Sequence, residues 1–336
     1  MKALMVAPNY HQARGNTVTV NRMADGLKSL GVHIDIISHT NGKTEQPIPE
    51  ADIVHGFHAY RFYTFMEKLN EDIHPYVLTI TGTDLNHDLF DGNKRDQVVK
   101  TLQGARAIHV FDKQAKHVLN QEIPDIKSKI YVIHQGTSFL PKSELKVQRE
   151  KDTFLFVLPA GIRKVKNVPS AIHMLQKLRR EFPFIRLCIV GPVLEEQEGE
   201  LIRKLVSEHD EWVQYLGEVK HENMGAIYEQ ADTVLNTSIS EGQPAAILEA
   251  MNYGLPVVAA DNHGNRSIIH QGENGFIYHS EDEFLDYAEN IINNSNLRRI
   301  VGNSAKHYIS TYHSRKYEAE KLFDMYQNAV KNSKKG

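Results

Sequence analysis

Short apolar runs recur along the whole chain, and each is followed by a stretch with the spacing of an amphipathic helix. Runs of this length that are rich in Val and Ile are typical of parallel strands buried on both faces. Helical stretches such as Val18–Leu30, Ser170–Glu181 and Glu283–Asn293 connect them. Repeated βαβ units predict an α/β fold with open, doubly wound parallel sheets. The predicted strands are Ala3–Ala7, Ile34–Ser38, Ile53–Phe57, Val77–Thr81, Ala107–Phe111, Ile130–His134, Phe154–Leu158, Leu187–Val190, Val213–Leu216, Thr233–Asn236 and Pro256–Ala260.

These strands are too many for one Rossmann-like sheet, so the 336 residues are predicted to form two Rossmann-like domains that face a central cleft. We place the domains at residues 1–145 and 146–310 because the charged segment Lys142–Asp152 has little apolar content. The alternative is a long loop inside one domain. The remaining residues, 311–336, are predicted to form a helix that packs back across the domains. Its apolar positions at helical spacing are Tyr317, Leu322, Phe323, Tyr326 and Val330.

Composition narrows the classes of function. The chain has 39 Lys and Arg against 42 Asp and Glu, which leaves no basic stripe for binding nucleic acid. Cys188 is the only cysteine, so an internal disulfide and a cysteine-based zinc site are both excluded. The 18 histidines lack the spacing of a metal motif, and we expect no required metal. The first apolar run is too short for a signal peptide or a membrane span, so we expect a cytoplasmic protein.

The densest group of chemically suggestive residues follows the predicted strand Thr233–Asn236. There the segment Glu241-Gly242-Gln243-Pro244-Ala245 opens a helix. Gly242 lets the backbone approach a ligand closely, and Pro244 fits the first helical turn because its missing N–H is no loss there. The exposed helix N-terminus can bind an anion. Glu249, about a turn and a half into the helix, can accept two hydroxyl groups. The alternative for either glutamate alone is an ordinary surface residue.

A basic turn, Gly161-Ile162-Arg163-Lys164-Val165-Lys166-Asn167, follows the first strand of the second domain. The Arg163 guanidinium can form a fork on phosphate oxygens, and Lys166 can act as a point charge. Lys164 is expected to face solvent. The alternative is a basic turn that caps a helix.

Three loops of the first domain also follow predicted strands. Ala13-Arg14-Gly15-Asn16-Thr17 lacks the pattern G-x-G-x-x-G, so a dinucleotide site has no support. The other two loops are His58-Ala59-Tyr60-Arg61 and Thr81-Gly82-Thr83-Asp84.

Together these motifs resemble the retaining GT-B glycosyltransferases, in particular glycosyltransferase family 4. The resemblance covers most of the chain and rests above all on the Glu-x7-Glu pair. It implies that Glu241 contacts hydroxyls of the donor sugar and that Glu249 binds the ribose of the nucleotide. It also implies that Arg163 and Lys166 neutralise the donor diphosphate. Gly15 and Asn16 would lie beside the same phosphates, and Gly242, Gln243, Pro244 and Ala245 would line the donor site.

One departure bears on catalysis: many relatives have His-Gly-Thr-Asp where this chain has Thr81-Gly82-Thr83-Asp84. His58 and Asp84 are our candidates for the place of that histidine at the reacting carbon. These loops resemble a smaller branch that includes the selenosugar synthases and the glycosyltransferase 1 domain-containing proteins.

The resemblance implies a metal-independent retaining transferase, with a UDP-sugar favoured over a GDP-sugar as donor. The acceptor is left open among small molecules, glycans and lipid-linked groups. Peripheral contact with the inner face of a membrane and the oligomeric state are also left open. The competing hypothesis is a non-catalytic module that only binds a nucleotide sugar.

Overall fold

The computed structural model describes residues 1–11, 15–40, 43–44, 48–69, 73–137, 140 and 149–333. The chain forms two compact units: unit 1 is Met1–Gly136 with His313–Gly336, and unit 2 is Thr137–Tyr312. The boundary that we predicted between residues 145 and 146 falls in the segment 141–148, outside the described residues.

Strands and helices alternate through the first part of unit 1, and the strands form one sheet. The strand order is β3-β2-β1-β4-β5-β6-β7, parallel throughout except that β3 pairs antiparallel with β2 at the edge. The six strands predicted here are confirmed, and β3 is additional. In chain order the elements are β1 (Lys2–Pro8), α1 (Gly15–Ser29), β2 (His33–Thr40), β3 (Lys43–Thr44), β4 (Ile53–Phe57), α2 (Ala59–Leu69), β5 (Tyr76–Thr79), α3 (Gly82–Asn86), α4 (Arg95–Gly104), β6 (Ala107–Val110), α5 (Lys113–Glu122) and β7 (Ile130–Val132).

Unit 2 repeats the same alternation around a second parallel sheet, with strand order β10-β9-β8-β11-β12-β13. The five predicted strands are confirmed, and β13 at the edge is additional. In chain order the elements are β8 (Phe154–Pro159), α6 (Val168–Arg179), β9 (Ile185–Val190), α7 (Glu196–Glu208), β10 (Val213–Tyr215), α8 (Met224–Tyr228), β11 (Thr233–Asn236), α9 (Ala245–Asn252), β12 (Val257–Ala260), α10 (His263–Arg266), β13 (Phe276–Tyr278), α11 (Glu281–Asn293) and α12 (Ser295–Tyr312).

Both faces of each sheet are covered, which explains the continuous apolar runs in the sequence. On β8, Phe156 and Leu158 pack into one apolar cluster, while Leu155 and Val157 pack into another. Alternate residues of a strand point to opposite faces, so a strand covered on both sides must be apolar at every position. This confirms the predicted pair of doubly wound α/β sheets.

The last helix, α13 (Arg315–Ser333), returns the chain to unit 1. Leu322 and Tyr326 are fully buried in the cluster that includes residues of β1 and β4, as their helical spacing predicts. A bidentate ion pair joins this helix to α1: the Arg22 guanidinium donates to both Glu318 oxygens over 2.8 and 2.9 Å. Tyr317, which we expected on the packed face, is 49% exposed, because it lies to one side of the buried stripe.

A chain of buried polar groups connects α13 to the sheet of unit 1. Tyr326 Oη lies 2.6 Å from His55 Nδ1, and His55 Nε2 lies 2.6 Å from Thr79 Oγ1. Thr79 Oγ1 lies 2.9 Å from His109 Nδ1, and His109 Nε2 lies 2.9 Å from the Ile133 carbonyl oxygen.

The carbonyl at the end of this chain can only accept, which fixes the direction of every bond before it. His109 Nε2–H therefore donates to Ile133, Thr79 donates to His109, His55 donates to Thr79, and Tyr326 donates to His55. Both imidazoles are neutral in this arrangement. Burial lowers the pKa of His109 to about 4 and lowers that of His55 well below its usual value.

Among the described residues, no helix is long and apolar enough to cross a membrane.

Candidate active site

The carboxyl ends of β8 and β11 are adjacent in the sheet of unit 2, and the chain leaves them in opposite directions. β8 is followed by β9 on one side, and β11 is followed by β12 on the other. Ligands of doubly wound sheets bind at such a switch point. The loop after β8 carries Arg163 and Lys166, and the loop after β11 carries Glu241. The fold therefore brings together motifs that lie far apart in the sequence.

Two hydrogen bonds join these loops directly. The Ile239 N–H donates to the Val165 carbonyl over 2.9 Å, and the Thr237 hydroxyl donates to the Lys166 carbonyl over 2.9 Å. Lys164–Lys166 forms a single 3-10 turn, which is held by these contacts. These hydrogen bonds hold the backbones of the two motifs together beneath their charged side chains.

Lys166 and Glu241 form an ion pair at this junction. Lys166 Nζ lies 2.5 Å from Glu241 Oε1, and only 16% and 10% of the two side chains are exposed. Burial raises the pKa of Glu241, but the Lys166 ammonium and hydrogen bonds from Lys166, Ser238 and Asn236 outweigh it and lower that pKa overall. Glu241 is therefore an ionised carboxylate that accepts hydrogen bonds.

Arg163 contributes a second cation to the same loop. Its backbone is extended, and its Nε is buried without a hydrogen-bond partner among the described residues. A buried guanidinium N–H is costly to leave unpaired, so this atom is a candidate donor to an anionic ligand. Lys164 is exposed, as we expected, and its backbone N–H donates to Glu195 over 2.8 Å.

The segment from Gly242 to Ala245 enters α9 under tight steric limits. A Cβ placed on Gly264 of α10 would lie 1.9 Å from the Gly242 carbonyl oxygen, so only glycine allows this approach. Pro244 lies one residue before the helix rather than in its first turn, because its carbonyl already accepts the first helical bond from Ile247. Gln243 is buried, and its amide lies 3.4 Å from the Ser267 hydroxyl.

Glu249, in the body of α9, is 7% exposed and both of its oxygens accept hydrogen bonds. His221 Nε2 lies 2.7 Å from Oε1, and the Tyr228 hydroxyl donates to Oε2 over 3.0 Å. Burial, followed by the Glu249 charge, raises the pKa of Tyr228 well above its usual value, so the phenol keeps its proton. No sequence motif indicated His221 or Tyr228, which lie 28 and 21 residues from Glu249.

The two loops of unit 1 meet at Asp84. Its carboxylate accepts from the N–H groups of Ala59, Thr81 and Leu85 over 2.9, 2.8 and 3.2 Å, and from the Thr81 hydroxyl over 3.0 Å. Asp84 is 1% exposed, and these contacts form a capping box at the start of α3. These contacts give Asp84 a structural role in the loop, and its candidate place at the reacting carbon stays a prediction. Thr81, which stands where many relatives have histidine, is part of the same cap.

His58, directly after β4, is 8% exposed and has a positive φ of 69°. Its Nδ1 lies 3.4 Å from the Arg61 N–H, and its Nε2 lies 3.6 Å from Asp88 Oδ2. Asp88 is itself paired with Lys94 over 2.7 Å. The imidazole is thus held inside a charged cluster of its own unit.

Gly15 and Asn16 are the first residues of α1, three residues earlier than the predicted helix start. Ala13 and Arg14 of the same motif lie outside the described residues. Across the part of the chain that the structure describes, no group of three or more His, Cys, Asp or Glu side chains could hold a metal ion.

Comparison with known proteins gives a family match over half of the chain. The family model described as glycosyl transferases group 1 matches residues 141–308, half of the chain. Glycosyltransferase 1 domain-containing protein 1 from Xenopus tropicalis is 27% identical over 331 residues, which cover 95% of this chain and 94% of that protein.

Solved structures show the same fold. Sucrose-phosphate synthase from Thermosynechococcus elongatus superposes with a TM-score of 0.82 at 14% identity, covering 99% of this chain and 100% of that one. HepE from Anabaena, solved in complex with UDP and glucose, gives a TM-score of 0.80 at 15% identity, covering 97% of this chain and 99% of that one. The two doubly wound sheets are those of the GT-B fold.

Proposed function

Because the chain belongs to the glycosyl transferases group 1 family, we propose that it transfers a glycosyl group from a nucleotide-diphosphate sugar to an acceptor, with retention of configuration and without a metal ion. The observation that carries this proposal is the Lys166–Glu241 ion pair at the switch point of unit 2, next to the unpaired Nε of Arg163. Cations that can stabilise the diphosphate lie there beside a carboxylate that can accept hydrogen bonds from sugar hydroxyls, as cleavage of a nucleotide sugar requires.

In the proposed reaction the bond between the anomeric carbon and the diphosphate oxygen breaks, and a bond to the acceptor oxygen forms on the same face of the sugar. The acceptor's proton passes to the departing phosphate oxygen, so the products are a glycoside and a nucleoside diphosphate. Negative charge gathers on the diphosphate as the sugar becomes oxocarbenium-like. Arg163, Lys166 and the N-terminus of α9 would stabilise that charge, and each preorganised donor is worth about 2–4 kcal/mol at the transition state.

Glu241 would accept hydrogen bonds from hydroxyls of the donor sugar, and Glu249 would accept them from the ribose. Retaining hydrolases instead place two carboxylates about 5 Å apart, one of them as a nucleophile. We do not assign Glu241 as a nucleophile, because Glu241 and Glu249 are both assigned to hydroxyl binding and so do not provide that pair. The UDP bound to HepE supports a UDP-sugar as the favoured donor.

Nucleoside diphosphate release from a panel of UDP-, GDP- and ADP-sugars, with EDTA present, tests this function. We expect slow release from one donor, faster release with a suitable acceptor, and loss of release in Lys166→Ala. Lys164→Ala is the matched control, since it removes the exposed lysine of the same turn. Release only after Mg²⁺ is added would contradict metal independence, and inversion of the product anomer, read by NMR, would contradict retention.

A second candidate is a module that binds a nucleotide sugar without turnover. The observation in its favour is Thr81, whose hydroxyl is committed to the Asp84 cap where many relatives have histidine. Tight nucleotide binding without release, with or without a range of small-molecule, glycan and lipid-linked acceptors, would favour this candidate over the transferase.

A further inference from the structure

Three buried asparagines lie beneath the loop that carries Glu241. Asn236 ends β11, Asn262 precedes α10, and Asn265 lies within α10; they are 8%, 7% and 0% exposed. Buried amides are costly unless they are hydrogen-bonded, so their contacts show what they hold in place. All three belong to one network that ends on the Glu241 carboxylate.

The orientation of the Asn236 amide follows from its neighbours. The Ser238 N–H and the Asn265 side-chain NH₂ both donate to one atom of this amide, over 3.0 and 3.1 Å. An atom approached by two donors is the oxygen. The Asn236 NH₂ must therefore point the other way, where it donates to Glu241 Oε1 over 3.2 Å.

Asn265 is fixed in turn. Its NH₂ also donates to the Ala260 carbonyl over 2.8 Å, and its backbone N–H donates to Asn262 Oδ1 over 3.0 Å. The Asn262 NH₂ donates to the Ser238 carbonyl over 2.8 Å. The network thus ties the loop after β11 to the end of β12 and to α10, without an exposed member.

Glu241 Oε1 consequently receives two donors from opposite sides of the switch point, the Lys166 ammonium and the Asn236 amide. A carboxylate held only by the flexible lysine and the rotatable Ser238 hydroxyl could turn with them. The rigid amide removes that freedom, and the close approach of Gly264 to Gly242 prevents the loop from shifting instead. The fold therefore fixes the direction of the carboxylate before any ligand arrives.

We infer that Asn236 and Asn265 are positioning residues for glycosyl transfer, acting through the Glu241 carboxylate. This inference rests on the proposed function and adds two residues to it. Asn236 holds Glu241 directly, and Asn265 holds Asn236. Substitution of either should therefore affect recognition of the donor's sugar rather than binding of its nucleotide.

A double-mutant cycle between Asn236→Ala and Glu241→Ala tests the inference on the donor that the panel selects. One hydrogen bond to a charged group corresponds to about a tenfold to hundredfold change. We expect Asn236→Ala to lower kcat/KM by about tenfold or more in the wild-type background, and by less than about threefold when Glu241 is already alanine. Affinity for the nucleoside diphosphate alone should change less than about twofold.

Asn265→Ala provides a second, independent variant, which keeps Asn236 and should cause a smaller loss with the same dependence on Glu241. Asn274→Ala is the matched control: among the residues that the structure describes, the side chain of this buried asparagine bonds only to the backbone of His270 and Ile268. It should lower the melting temperature without showing dependence on Glu241.

An equal loss from Asn236→Ala in both Glu241 backgrounds, or a parallel loss of nucleotide affinity, would overturn the inference. Failure of the proposed function is a separate result, because it appears as absence of transfer by the wild-type protein. If Asn236→Ala does not fold, the cycle between Asn265→Ala and Glu241→Ala decides the question.

Discussion

Replacing Lys166 by alanine perturbs both the chemistry and the stability of unit 2, and the structure allows the two effects to be separated. The substitution removes a cation from the switch point, and it also leaves the Glu241 carboxylate buried without its counter-ion. We expect kcat/KM to fall at least about a hundredfold, the effect of one strong transition-state contact. We also expect the protein to unfold more easily.

The size of the stability loss follows from the burial of the pair. Breaking a buried ion pair by removing one partner costs about 3–5 kcal/mol. Because both side chains keep slight exposure and the Asn236 amide still donates to Glu241, we expect about 3 kcal/mol, at the lower end. For a unit of this size that corresponds to a drop of about 6–12 °C in the melting temperature.

Removing the Glu241 carboxylate as well should restore stability but not activity. In the double variant Lys166→Ala/Glu241→Ala we expect most of the melting temperature to return while activity stays low. Lys164→Ala should change stability by no more than about 0.5 kcal/mol and leave turnover normal. Calorimetric melting and donor-release kinetics on the same four proteins provide the measurement.

Two results would refute this reasoning. Near-normal turnover in Lys166→Ala would mean that this ammonium does not stabilise the departing diphosphate. A double variant that melts no higher than Lys166→Ala would mean that loss of the Lys166 ammonium from the buried Glu241 carboxylate is not what destabilises the single variant.

Three further predictions follow from the buried polar groups. Glu249→Gln should weaken nucleoside diphosphate binding about tenfold in a calorimetric titration; unchanged affinity would contradict the ribose assignment. Tyr326→Phe leaves His55 Nδ1 buried without its donor, which should cost about 1–3 kcal/mol in urea unfolding; an unmoved midpoint would show that this hydrogen bond does not contribute to stability. Burial lowers the pKa of His109 and His313 to about 4, so the unfolded chain binds more protons between about pH 6.5 and 4. Stability should therefore be complete above about pH 6.5 and fall on acidification by on the order of 3 kcal/mol per histidine; a flat profile would show that these imidazoles are not held neutral.

The strands of both sheets could be predicted because a strand covered on two faces must be apolar throughout. The two additional strands lie at sheet edges and are too short to show a long apolar run. β3 has two residues, and β13 is the three-residue run Phe276–Tyr278 beyond the Asn274-Gly275 turn. Phe276–Tyr278 is apolar and buried at every position, but a run of three residues is too short to identify as a strand, and edge strands are often this short.

The residue types at the candidate site were visible in the sequence, but their pairings were not. Lys166 and Glu241 are 75 residues apart, and nothing in either motif indicates that one would neutralise the other. Asn236 and Asn265 were also missed as a pair, because single asparagines after strands are common turn residues. Their significance comes from the meeting of β11 and α10, which only the fold determines.

Asp84 shows how one residue type in a loop is consistent with two roles. A carboxylate in a loop after a strand is consistent with acid–base chemistry and equally with a helix cap. The sequence Thr81-Gly82-Thr83-Asp84 has the spacing of a capping box, so that structural alternative was available from the pattern alone. Four hydrogen bonds to the carboxylate favour the cap, and a role of Asp84 at the reacting carbon stays a prediction.

Because α13 supplies part of the core of unit 1, the order of synthesis differs from the order in which the two units can be completed. The strands of unit 1 leave the ribosome first, yet the cluster around β1 and β4 gains Leu322 and Tyr326 only when the last helix has been made. Unit 2 is one continuous segment and can finish folding earlier. Domains generally fold from the N-terminus onwards during translation. Here unit 1 exposes an apolar surface until α13 has been made, and this is the kind of surface that chaperones bind.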